Sequence, residues 1–66
     1  MTFIIESIKD RRHTTEFRSS AEIAVMLARK LVTDGFAVSI TDPGGQVYSA
    51  DRFDRLLMRE SLNSQE

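Results

Sequence analysis

Cysteine is absent from the chain. That excludes disulfides as reinforcement for a fold of 66 residues, and gives no sign of a secreted, disulfide-built scaffold. His13 is the only histidine, so a structural zinc site would lack both thiolates and a second imidazole. Long hydrophobic runs are missing as well. The longest, residues 23–28, falls far short of the roughly 20 residues that span a bilayer. The segment Met1, Thr2, Phe3, Ile4, Ile5 has no basic start and is interrupted by Glu6, unlike a signal peptide. A dominant charge is lacking too: nine Lys and Arg against ten Asp and Glu leave a net charge of −1, without the basic excess of a dedicated polyanion binder. These absences lead us to expect a cytoplasmic protein with no membrane association, no metal and no cofactor.

Catalytic patterns are also absent. The chain contains no G-x-S-x-G, H-E-x-x-H, Walker or dinucleotide fingerprint. Its one histidine and scattered serines are what any chain of this length carries, and Gly44-Gly45 suits a turn better than a phosphate loop. A domain this small has little room for a ligand-sized pocket. We therefore expect a non-enzymatic protein.

What is present is a set of short periodic segments. Residues 2–8 read as a strand with Phe3, Ile5 and Ser7 on one face and Ile4, Glu6 and Ile8 on the other. Residues 9–12 suit a turn, and the β-favouring residues 13–17 suit a second strand. Residues 20–33 form the clearest helix. Ser19 and Glu22 have capping-box spacing, and Ile23, Ala24, Leu27, Ala28 and Leu31 fall on one face. Gly35 fits the left-handed position that ends a helix, with Phe36 folding back on Leu31. Residues 36–41 alternate strictly, placing Phe36, Val38 and Ile40 together. Asp42-Pro43-Gly44-Gly45 then makes a hairpin turn in which Gly44 supplies the positive φ, and residues 46–48 return. Ser49 is a suitable N-cap for a second helix reaching about residue 62, with Asp51 in its first turn. Tyr48 and Phe53 sit at the staple positions.

The pattern predicts an α+β domain, a small two-layer β-(β)-α-β-β-α fold. Both helices would cover one face of a mostly antiparallel sheet. One domain over residues 1–62 and a polar tail at 63–66 are expected. The expected core draws on Phe3 or Ile4, Ile5 or Ile8, Phe17, Ile23, Leu27, Leu31, Val38, Ile40, Phe53, Leu56 and Leu57. Such a core rarely supplies more than roughly 3–5 kcal/mol, which makes self-association a natural reinforcement.

Two kinds of surface follow. Helices on one side only would leave part of the first strand uncovered, so Ile4 and Ile8, with Val25, Val32, Met58 and Leu62 outside the helix faces, form a candidate protein interface. Basic residues make two clusters: Lys9, Arg11, Arg12 and His13 at the first turn with Arg18 nearby, and Arg52, Arg55 and Arg59 along the second helix. Either could contact phosphates. However, Asp10 and Glu16 dilute the first cluster, no aromatic interleaves residues 9–16, and Asp51 is placed to pair with Arg55. The expectation is a small protein-interaction or regulatory module whose partner is another protein or itself, a homodimer being preferred. The alternative is a nucleic-acid-binding module using the 9–18 hairpin or the helix-2 arginines.

Overall fold

A computed structural model gives the fold; it describes residues 1–63, with side chains as far as Arg59. The elements are β1 (Phe3–Lys9), β2 (Arg12–Arg18), α1 (Ala21–Thr33), β3 (Ala37–Thr41), β4 (Val47–Ser49), a 3-10 turn (Ala50–Arg52) and α2 (Phe53–Asn63). The strands form one antiparallel sheet in the order β2-β1-β3-β4. Helix α1 packs on β1, β3 and β2, and α2 packs on α1 and β4. The protein is therefore the expected α+β fold, with both helices on one face. The remainder of the predicted polar tail, beyond Asn63, lies outside the described residues.

The first hairpin is tighter than expected. Lys9 and Arg12 pair across a two-residue turn, Asp10-Arg11, so both strands run one residue closer to the turn than the predicted 2–8 and 13–17. Both turn residues have positive φ, 50° and 70°, the signature of a type I′ turn, whose twist matches that of the strands it joins. Asp tolerates this conformation through its short polar side chain; Arg does so at a cost.

Helix α1 starts one residue later than its predicted cap. Ser20, in extended conformation, occupies the N-cap position and makes no side-chain capping bond. The anticipated capping box of Ser19 and Glu22 is thus out of register. At the other end the geometry is as expected. Phe36 N donates to Leu31 O at 2.9 Å and Gly35 N to Val32 O at 3.0 Å, with Gly35 at φ 95°. Together these bonds make a Schellman motif.

The buried face of α1 is rotated from the predicted one. Ala21, Ala24, Val25 and Ala28 are buried, Leu27 and Leu31 lie at the margin, and Ile23 is 53% exposed. Alanines on this seam let the helix axis approach the sheet closely, and the longer side chains move to the flank. Two assignments are corrected as a result: Ile23 leaves the core and Val25 enters it. Phe17, also assigned to the core, is 58% exposed. It shares a face with Ile4 rather than with Phe3, because Ile4 and Phe17 are directly opposite each other.

The core consists of Phe3, Ile5, Val38, Ile40 and Tyr48 from the sheet, the α1 seam, and Phe53 and Leu56 from α2. Leu57 and Phe36 pack around it. Ser7 is buried among these strands with an unpartnered hydroxyl. In the second hairpin, the left-handed residue is Gly45, at φ 90°, rather than Gly44. Gly45 N donates to Asp42 O at 3.0 Å, closing a four-residue turn around Pro43-Gly44, and Gly45 is the αL residue that follows. The Asp42 carboxylate, itself buried, accepts Gln46 N at 2.8 Å and holds the turn from within. Ser49 caps the 3-10 turn in position only: its hydroxyl donates to the Asp51 carboxylate rather than accepting a backbone N–H.

Candidate functional site

With both helices on one side, the other face of the sheet is uncovered among the described residues. The strand register arranges that face in three rows. Phe17, Ile4, Thr41 and Val47 form the first, Thr15, Glu6, Ser39 and Ser49 the second, and His13, Ile8 and Ala37 the third. The middle row is polar, and there His13 Nε2 lies 3.3 Å from Glu6 Oε2. The outer rows carry exposed apolar side chains: Phe17, Val47 and Ile8 are all more than half exposed, and Ile4 is half-buried.

The two ends of this face differ in their strand edges. Strand β2 has seven residues and pairs with β1 alone. In a two-residue hairpin the pair flanking the turn exchanges both main-chain bonds, and such pairs alternate along the ladder. The main-chain groups of Arg12, Thr14, Glu16 and Arg18 therefore point to β1, while those of His13, Thr15 and Phe17 point away from the sheet. Arg18 covers one of these groups, donating to Phe17 O at 2.6 Å, and also lies 3.3 Å from the Glu16 carboxylate. The groups of His13 and Thr15 face outward along an edge that no other strand among the described residues covers.

On the helix side, this same end is flanked by α1. Arg29 pairs with Asp54 of α2, which fixes the α2 side of α1. Leu27 lies about 160° round the helix from Arg29 and so faces β2, with exposed Ile23 further out; Met26, also exposed, lies nearer Arg29 on the outer side of the helix.

Of the proposed interface residues, Ile8, Val32 and Met58 stand exposed and Ile4 is partly so. Val25 is buried, 1% exposed, and is not available to a partner. The side chain of Leu62 lies outside the described residues. The surface also contains Phe17, Ile23, Met26 and Val47, which sequence reasoning left out. Phe17 could have been found from the alternation His13, Thr15, Phe17 once the hairpin register was set.

The basic clusters are partly committed elsewhere. Lys9 Nζ donates to Asp34 O at 2.7 Å and sits 5.3 Å from the centre of the Phe36 ring, fastening the first hairpin to the C-terminal end of α1, where the dipole favours a cation. A shallow depression of about 460 Å³ beside it is lined by Lys9, Asp10, Arg12 and Phe36. On α2, Arg59 donates to Gln46 Oε1 at 2.9 Å and to the Tyr48 hydroxyl at 3.2 Å, which ties that helix to the second hairpin. Arg52 and Arg55 remain exposed. Ser49's hydroxyl, and then the positive charges of Arg52 and Arg55, hold the Asp51 carboxyl below the usual carboxylate range. Arg52 belongs to the 3-10 turn rather than to the second helix, with Arg55 and Arg59 on α2.

Among the described residues no group of three acidic, histidine or cysteine side chains could hold a metal ion, and no helix is long and apolar enough to cross a membrane. In comparison with known proteins, no family model, curated protein or solved structure matches the chain.

Proposed function

We propose that the chain is a non-enzymatic protein-interaction module that acts through the β2 end of its sheet, with a second copy of itself as the first partner. The observation that carries this reading is the juxtaposition there of exposed Phe17 and Ile8 with an uncovered seven-residue strand edge. Large exposed apolar side chains on one face of a small domain favour protein contact, and an unpaired edge supplies main-chain groups for it. A cytoplasmic location accords with a chain that has no cysteine.

The nucleic-acid alternative draws less support. Lys9 and Arg59 already have intramolecular partners, and Glu6 stands in the middle of the open face, where a phosphate backbone or stacked bases would meet its charge. Sedimentation velocity from low to high micromolar concentration, with and without short labelled DNA and RNA, separates the two. The expected result is a concentration-dependent dimer that persists in high salt. A strict monomer that carries nucleic acid at low salt and releases it as salt rises would overturn the proposal.

A further inference from the structure

Strand β2 is complementary to itself. When the strand is turned antiparallel on a second copy, direct opposition keeps each residue on its own face of the sheet, so only registers pairing even with even and odd with odd numbers are allowed. We propose that two copies join through β2 about a two-fold axis at Thr14, giving one continuous eight-stranded sheet. This rests on the reading of the chain as a self-associating module and names the surface and register it uses.

In this register Arg12 lies opposite Glu16 of the second copy, and Glu16 opposite its Arg12, so two opposite-charge pairs form across the axis on the helix side. Thr14 meets Thr14, and His13 meets Thr15 on the open face. Just outside the strand, Asp10 comes alongside Arg18 of the second copy, and Arg11 alongside its Phe17. Neighbouring registers lose this match. Moving the axis to Thr15 sets Arg12 against Arg18, and moving it to Glu16 sets that carboxylate against itself. Moving it to His13 brings Asp10 beside Glu16. Like charges directly opposite are unfavourable and opposite charges favourable, so the charge pattern selects one of the four.

The main chain agrees with the choice. His13 and Thr15 are the residues whose N–H and C=O groups point away from β1, and the Thr14 axis makes them exchange about four hydrogen bonds between the copies. Arg18 covers the Phe17 carbonyl, which limits the paired stretch to residues 12–16. The side chains beside the edge also gain cover. The Leu27 flanks of the two α1 helices would face each other on one side of the joined strands, with exposed Ile23 further out, and on the other side Phe17 would lie alongside Arg11 of the second copy, three residues from the axis. An isologous contact of this kind closes at two copies.

The test uses the whole chain. Thr14→Cys introduces the protein's only thiol at a non-hydrogen-bonded pair whose Cα atoms are about 4.5 Å apart, within disulfide range. Mild oxidation is expected to convert Thr14→Cys almost completely to a covalent dimer and to leave Thr15→Cys largely uncrosslinked. Arg12→Glu and Glu16→Arg are each expected to weaken dimerisation roughly tenfold or more, since each places like charges in opposition twice. The double exchange is expected to restore it to within about threefold of the original, as a double-mutant cycle requires of a direct pair. Thr15→Pro, which removes an outward N–H without touching the β1 ladder, should give a folded monomer.

If the unmodified protein is monomeric throughout, this proposal and the self-association reading both fall. If it is a dimer that Thr15→Pro and the charge variants leave intact, and Thr14→Cys does not crosslink, the copies meet elsewhere and only the present proposal falls. Should Thr15→Pro fail to fold, the charge exchange and the cysteine pair decide the matter alone. Preferential crosslinking at Thr15 would overturn the register.

Discussion

The two edges of the sheet are finished in opposite ways. β4 is three residues long, and α2 packs beside it. Its central residue Tyr48 is buried and accepts a bond from Arg59, and the turn before it is braced by a buried carboxylate. β2 is seven residues long, polar on its helix side, and carries an exposed phenylalanine on the other. Short, covered edges resist pairing with other chains, and long open ones invite it. Packing and exposure are thus segregated in this molecule: the β4 end holds the packing, and the β2 end is left open.

The sharpest way to break that contrast is to make the same deletion at both ends. Phe53→Ala, beneath the β4 end, is expected to cost about 3–5 kcal/mol, enough to unfold a domain of this size. Phe17→Ala is expected to stay within about 0.5 kcal/mol when urea unfolding is followed at low protein concentration. Comparable losses would show that the β2 end is packed in solution and that the contrast is false.

Between the two ends lies Ser7, buried and without a hydrogen-bond partner. Ser7→Ala should raise stability by about 1–2 kcal/mol by removing an unsatisfied hydroxyl. Denaturant midpoints would reveal it, and a loss of stability would mean that the hydroxyl is satisfied.

The turns give a third comparison, with opposite signs. Gly45→Ala forces a Cβ into a left-handed conformation and should cost about 1 kcal/mol. Arg11→Gly relieves the same conformation and should gain about 1 kcal/mol. Thermal melts of the two variants should move in opposite directions; a shared direction would remove the type I′ assignment at the β2 end.

The smallest effect is at Asp51. Its carboxyl titrates lower in the folded protein than unfolded, so its stabilisation is complete above the ordinary value of 3.8 and is lost as pH falls through the folded one. The wild type should exceed Asp51→Asn slightly at neutral pH, with the gap closing in acid. A gap that does not vary with pH would assign it to packing instead of charge.

Much of the fold was legible because it is local. Gly35 announced the end of α1, Val38 and Ile40 alternated as a buried face requires, and Asp42-Pro43 marked the second turn. The first turn was blurred because Asp10 and Arg11 take left-handed conformations that composition does not advertise. The phase of α1 was misread for a different reason. Periodicity ranks Ile23 above Ala21, whereas packing against a sheet selects whichever stripe permits the closest approach. That one rotation moved Val25 from the expected interface into the core. Sheet order depends on long-range pairing and left no local trace, and with it the identity of β2 as an edge stayed hidden. Ile8 and Ile4 pointed to the open face, but the residue that joins that face to the edge, Phe17, was assigned to the interior.

The alanine seam of α1 has a consequence for how this sequence can drift. Ala24 and Ala28 are completely buried and set the distance between helix and sheet by their smallness, so nearly every replacement adds volume where none is free. Replacement by glycine avoids the crowding and loosens the helix. Variation at these two positions is confined from both sides, whereas Ile23 and Met26, on the far side of the helix, can change size and polarity with little effect on folding. Relatives that diverge in their partners would be expected to keep the seam and rewrite the flank.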